Sequence, residues 1–253
     1  MNQKAPETAC IGSGRYPHPA LGTVRVSVRG NSRRVSARWV GPEVHVNVPR
    51  ELRVDDYLSI MSRFEPQLLA SRPRPFHHTG RRIETPYFSI TIIQSTIKDG
   101  GFNILRGKQN HGALPSYIIS VPEKYTAPTH IGRSDVQAHI NSLVCRIAEF
   151  HAREVLPARA RQLASNVSRT PLAWKIGQGR RTLGSCSSNG VITLSLRLMF
   201  LPEHLRDYVI LHEIAHLSEM NHSSRFHELC NSYCAGREAE LVRELKAFRF
   251  PVF

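Results

Sequence analysis

The sequence predicts an α+β fold, with a β-rich N-terminal half followed by a mainly helical half around a small sheet. Three observations predict it. After residue 20 apolar residues alternate with period two, as at Val24, Val26 and Val28. From Asp135 onward they recur at helical spacing, as at Val136, Ile140, Leu143, Val144, Ile147 and Phe150. Near the C-terminal end, Tyr208 to Leu217 is apolar on nearly every side yet carries two histidines and a glutamate, so it reads as a buried helix.

Residues 1–20 mix Pro, Gly, Ser and Thr and read as a flexible tail. Residues 21–130 form the β-rich region. Val24, Val26 and Val28, then Val35, Ala37 and Trp39, then Val44, Val46 and Val48 make three alternating runs, punctuated by Gly30-Asn31 and Gly41-Pro42. They predict an antiparallel meander with one buried face. Val54 to Leu69 reads as a helix with Asp55 and Asp56 in its first turn, Tyr57, Ile60, Met61, Phe64 and Leu68 on one side, and Arg72-Pro-Arg-Pro75 as its stop. Tyr87–Ile97, Phe102–Arg106 and Ser116–Val121 are strand-like, with a turn at Asp99-Gly100-Gly101 and a loop from Gly107 to Pro115.

Thr126 to Gly132 is the boundary, and residues 131–253 form the helical domain. A helix runs from Asp135 to Glu154, Pro157 interrupts it, and a second runs from Ala158 to Val167. Short strands are expected at Pro171–Ile176 and Val191–Leu196. Pro202 opens the histidine helix, with Glu203 at the positive end of its dipole. Met220-Asn221 ends it, Asn taking the left-handed position, and Ser223 caps the next helix, Phe226–Cys234, which Gly236 closes. Glu238 to Phe248 is the last amphipathic helix, with Leu241, Val242, Leu245 and Phe248 inward.

The 253 residues carry a net charge of +14, and with only six lysines the other 28 basic residues are arginine. Such a field attracts polyanions, but no basic run is interleaved with aromatics. Nucleic acid is therefore not favoured as a partner over a solvated, Arg-rich surface. Five cysteines follow no framework spacing. Residues 1–20 lack the apolar stretch of a signal peptide, and no run approaches a membrane span. A reduced, cytoplasmic protein without membrane attachment is expected; oligomeric state is not indicated.

The chemistry sits in His212-Glu213-Ile-Ala-His216. Positions i and i+4 share one face of a helix, about one turn apart, so two imidazoles there can bind one cation with Glu213 beside it as general base. Buried polar groups of this kind need partners. His222, just past the helix, is the third candidate ligand; Glu228, Glu238 and Glu240 are the alternatives. Cys186 reads as structural or part of a substrate strand, and Cys230 and Cys234 as buried thiols. His77 and His78 read as solvated, and His227 as either a neighbour of the site or a surface residue.

Gly184-Ser-Cys186, Gly190-Val-Ile, Asp207-Tyr-Val-Ile-Leu-His-Glu-Ile-Ala-His-Leu217, Asn221-His-Ser223 and Phe226 together resemble the YgjP-like metallopeptidase family of bacterial zincins. The resemblance covers roughly residues 170–230. It implies a zincin-like helical catalytic domain with a small sheet, Zn2+ as cofactor, His212, His216 and His222 as metal ligands, and Glu213 as catalytic base. Leu183 and His227 stand where the family has Trp, and Ser195 where it has Asn; these touch the rim rather than the ligands. The His212-to-His222 spacing also equals that of metzincins, but Glu219 replaces their Gly and no Met follows His222.

The leading expectation is a zinc-dependent hydrolase of peptides, in which Val191–Leu196 pairs with an extended substrate. The second is a metal-dependent nucleoside triphosphate pyrophosphohydrolase, with Arg180, Arg181 or Arg225 neutralising the phosphates of a nucleotide substrate. The third is a non-enzymatic, metal-stabilised nucleic-acid-binding protein.

Overall fold

The computed structural model describes residues 9–40, 43–72, 76–97, 100–107, 113–179 and 182–252. The fold is mixed α+β, with sheets in the N-terminal half and helices in the C-terminal half. The chain divides into two compact units. One comprises Met1–Arg81, Ile92–Asn103 and Ser120–Ile140, the other Arg82–Thr91, Ile104–Ile119 and Asn141–Phe253.

In the first unit, β1 (Gly14–His18), β2 (Gly22–Arg29), β3 (Ser36–Val40) and β4 (Glu43–Pro49) form a sheet in the order β1-β2-β4-β3. It is not the predicted meander. β2 and β4 run parallel, with Val24, Val26 and Val28 registered against Val44, Val46 and Val48, and β3 joins the outer side of β4 antiparallel. Period two fixes which face of a strand is buried but not its direction, and either direction puts these valines on one side. β1 falls inside the predicted tail. It is an edge strand paired only with β2, where Pro17 is tolerated and exposure erases the alternating pattern. Helix α1 (Val54–Ala70) packs Tyr57, Met61 and Leu68 into the same core as the valines. Residues 73–75 and 98–99, part of the predicted helix stop and turn, lie outside the described residues, as do 108–112 of the predicted loop.

His77, read as solvated, is fully buried. Gln137 accounts for this: its Oε1 accepts from the His77 backbone N–H at 2.8 Å and its Nε2 donates to the His77 carbonyl at 2.7 Å.

Strands β5 (Arg82–Glu84), β6 (Ser89–Gln94), β7 (Asn103–Arg106) and β8 (Ser116–Val121) form a second sheet in the order β5-β6-β8-β7. A short helix α2 (Pro128–Ile131) precedes α3 (Ser134–Asn166), which runs unbroken through Pro157 where two helices were expected. Ala152, Leu156, Ala160, Leu163 and Ala164 are buried at helical spacing on both sides of the proline. Their packing outweighs the lost backbone bond, a cost of about 3 kcal/mol. Phe150, expected inward, is exposed, and nothing in the helix explains it.

The second unit also holds β9 (Ala173–Gly177), β10 (Gly184–Cys186) and β11 (Val191–Ser195) in the order β10-β11-β9. β11 pairs antiparallel with β10 and parallel with β9, so both its edges are occupied. It therefore has no edge free for the substrate pairing expected of it. A 3-10 turn over Leu196–Phe200 leads to α4 (Glu203–Ala215), followed by α5 (Ser224–Tyr233) and α6 (Glu238–Ala247). α4 contacts β10, β11, α5 and α6, which is why Leu205, Tyr208, Val209, Ile210, Leu211, Ile214 and Ala215 are all buried. Cys230 and Cys234 are buried thiols as expected, and all five cysteines are unpaired. Among the described residues no helix is long and apolar enough to cross a membrane.

Candidate metal centre

α4 presents His212 and His216 on one face, their ring centroids 5.1 Å apart. The helix ends at Ala215, a turn earlier than expected, with His216 as its cap. The amides of Ser218 and Glu219 both donate to the Ala215 carbonyl, and His216 Nδ1 bonds the Glu219 carbonyl at 3.0 Å. This tight turn, and not a left-handed Asn221, reverses the chain: among described non-glycine residues only Ser168 and Ala235 have positive φ. Ser223 then caps α5, its Oγ accepting from the Phe226 amide. Between the two caps the chain returns His222 to the face of α4, with its Nε2 3.1 Å from Nε2 of His212.

One nitrogen from each of His212, His216 and His222 lies within 4.8 Å of the others. The donor set fits a divalent cation of the zinc type. Two nitrogens on a tetrahedral Zn2+ at ordinary bond lengths sit about 3.3 Å apart, close to the 3.1 Å between His222 and His212. His216 donates its Nδ1–H to the Glu219 carbonyl, which fixes the tautomer and leaves its Nε2 lone pair free for a metal. Burial, reinforced by the neighbouring His216, His222 and His227, pushes His212 down to about 4, so it is neutral at pH 7 as a ligand must be. Burial lowers His216 as well. Glu213, on α4 beside the first ligand, is 6% exposed, and burial raises its carboxyl to about 7. A group at that value takes up and releases a proton at neutral pH.

Phe226 of α5 floors the cluster. It stacks on His216 at 4.4 Å and meets His212 and His222 edge-on at 4.9 and 4.7 Å. Cys230, one turn along α5, puts Sγ 3.9 Å from Nδ1 of His212. Of the alternative third ligands, Glu238 is taken up by His227 Nδ1 at 2.9 Å and Glu240 by Arg237 at 2.8 Å, and none joins the cluster among the described residues. His227 is thus a neighbour of the site, 6.3 Å ring to ring from His222 and held by Glu238. Cys186 lies on β10, half-buried, and the Glu213 charge helps to raise its thiol after burial does. Arg225 is paired with Glu219 at 3.3 Å. Arg180 and Arg181 lie outside the described residues. Sequence reasoning missed the Glu219 carbonyl, Cys230 as a neighbour of His212, and Gly184, which abuts Glu213. Gly184 stands in the Gly184-Ser-Cys186 motif, but its contact with Glu213, like that of Cys230 with His212, joins elements that meet only in the fold, and the Glu219 carbonyl is a backbone group whose direction no side chain announces.

A buried helix with two imidazoles and a carboxylate, and a third imidazole returned by the next turn, is an arrangement that could hold a metal ion beside an acid–base group. The chain belongs to the YgjP-like family: it matches the YgjP-like, metallopeptidase domain over residues 117–248, just over half of its length. Its general kind is accordingly a metal-dependent hydrolase of metallopeptidase type. Among solved structures it is similar to the metallopeptidase zymogen abylysin of Pyrococcus abyssi, at 21% identity and a TM-score of 0.34, over 39% of this chain and all of that one. It is also similar to the zymogen jannalysin of Methanocaldococcus jannaschii, at 19% identity and a TM-score of 0.31, over 36% of this chain and 98% of that one. No curated protein matches the chain.

Proposed function

We propose that the protein is a zinc-dependent peptidase in which His212, His216 and His222 hold the metal and Glu213 is the general base. The observation that carries this reading is the convergence of three imidazole nitrogens within 4.8 Å beside a buried carboxylate on the same helix. A zinc ion held by these three histidines would supply Lewis acidity toward a water and the scissile carbonyl. Glu213 takes the proton of the attacking water on its carboxylate and delivers it to the leaving amine. Phe226 and the apolar wall of α4 keep bulk solvent from the inner side of the ligands. β10, at the edge of its sheet and in contact with α4, offers backbone groups to an extended peptide.

The test is a screen of zinc-loaded protein against a peptide library and against nucleoside triphosphates. Peptide cleavage that survives excess nucleotide is expected. Release of pyrophosphate without peptide cleavage would replace this reading with a phosphohydrolase. Salt-sensitive nucleic-acid binding with no turnover would replace it with a binding protein.

A further inference from the structure

We propose that Gly184 is a positioning residue for Glu213: the missing side chain at 184 forms the slot in which the Glu213 carboxylate rests. A Cβ at Gly184 would lie 2.6 Å from both Cγ and Oε1 of Glu213 and 2.8 Å from its Cδ. Side chains do not approach so closely, so one of the two must move. The backbone does not itself require glycine, because Gly184 lies in a strand and is not among the residues with positive φ. The requirement is space alone.

Both backbones that flank the slot are packed in place, so the group left to move is the Glu213 side chain. β10 is locked to β11, with Gly184 registered against Leu194 and Cys186 against Ile192, both partners fully buried. The Leu183 carbonyl accepts from the Ser195 amide at 2.9 Å, which pins the start of β10. On the other side α4 is held by Ile210 and Ile214, both fully buried. By strand alternation Cys186 shares the Gly184 face and Ser185 points away. The Glu213 carboxylate therefore lies over the smallest position on a rigid strand, and a methyl group there would swing it out of line. The role of Glu213 as base rests on the function proposed above; the slot itself does not.

The test is a double-mutant cycle in the full chain with Gly184→Ala, Glu213→Ala and the pair. In metal-free protein, Gly184→Ala should lower the thermal midpoint by about 4 °C in the presence of Glu213. In the Glu213→Ala background it should leave the midpoint unchanged or raise it, because the new methyl enters the volume the glutamate has left. If Gly184→Ala alone does not fold, the double variant should. An equal loss in both backgrounds, or a double variant that also fails to fold, overturns the slot. In zinc-loaded protein, Gly184→Ala should keep its zinc and its KM, while kcat falls on the order of 10²-fold, the scale of a misplaced reacting group. Wild-type kcat in that variant overturns the positioning role. Turnover that survives Glu213→Ala would instead overturn the general base, and the stability cycle would still decide the slot.

Discussion

Asp207 holds the guanidinium of Arg206 at 2.8 Å, and the Arg206 side chain is only 3% exposed. The other oxygen of Asp207 takes Arg159 of α3 at 2.6 Å, so one carboxylate near the start of α4 pairs two cations. The pairing ties α4 to α3 and leaves Arg206 dependent on Asp207. Asp207→Ala would leave this buried cation, among the described residues, with Glu203 at 3.7 Å and the Tyr87 ring beside it. The expected loss of stability is about 3 kcal/mol, read by urea unfolding of metal-free protein at neutral pH. A change below about 0.5 kcal/mol, the scale of an ordinary surface substitution, would mean that the pair contributes little.

The third ligand is the next test. His222 is exposed, so His222→Ala should fold normally, and where the wild type is expected to hold one zinc per chain this variant should hold none. Glu238→Ala should retain zinc, because Glu238 holds His227 and stands outside the cluster. Metal analysis after dialysis separates the two variants. Full zinc in His222→Ala together with loss in Glu238→Ala would move the third ligand to the acidic side chain.

Glu213 should also set a pH dependence in the metal-free protein. Burial lifts its folded-state value to about 7 from the model-compound value of 4.5. Between those values the folded state holds a proton that the unfolded state has lost, so its contribution to stability falls as pH rises from 4.5 to 7 and is constant outside that window. His212, lowered to about 4, works in the opposite sense: the unfolded state binds the extra proton, and stability rises as pH rises from 4 to 6.5. The two partly cancel in the wild type. Glu213→Gln removes only the first, so its stability relative to wild type should grow by about 3 kcal/mol between pH 4.5 and 7, at about 1.4 kcal/mol per pH unit. Parallel unfolding series at several pH values check this. A difference that does not vary with pH would mean that Glu213 is not desolvated.

Much of this was legible in the sequence because local periodicity and capping chemistry carry it. The approach of His212 and His216 on one face of α4 follows from i,i+4 spacing, and the α5 start from Ser223. What was not legible depended on pairing or on distant packing. The valines of β2 and β4 mark a buried face but are silent on direction, so their parallel register was missed. Pro157 signals a break that the buried flank of α3 overrides. β11 looks like a free strand until β9 and β10 are seen on either side of it. His77 reads as solvated until Gln137, sixty positions away, satisfies its backbone. Gly184 is legible as a motif glycine, but its reason is the side chain on another element.

Zinc content and turnover measured on one preparation of Glu213→Gln separate a metal held by histidines from a reaction driven through Glu213. Gln keeps the shape of Glu but cannot take a proton at neutral pH. The variant should hold as much zinc as the wild type, because the nitrogens of His212, His216 and His222 make up the cluster. Its turnover should fall by about 10² or more, the scale of a lost general base. Turnover at the wild-type rate with zinc in place would contradict the account and leave the three histidines as a structural metal site.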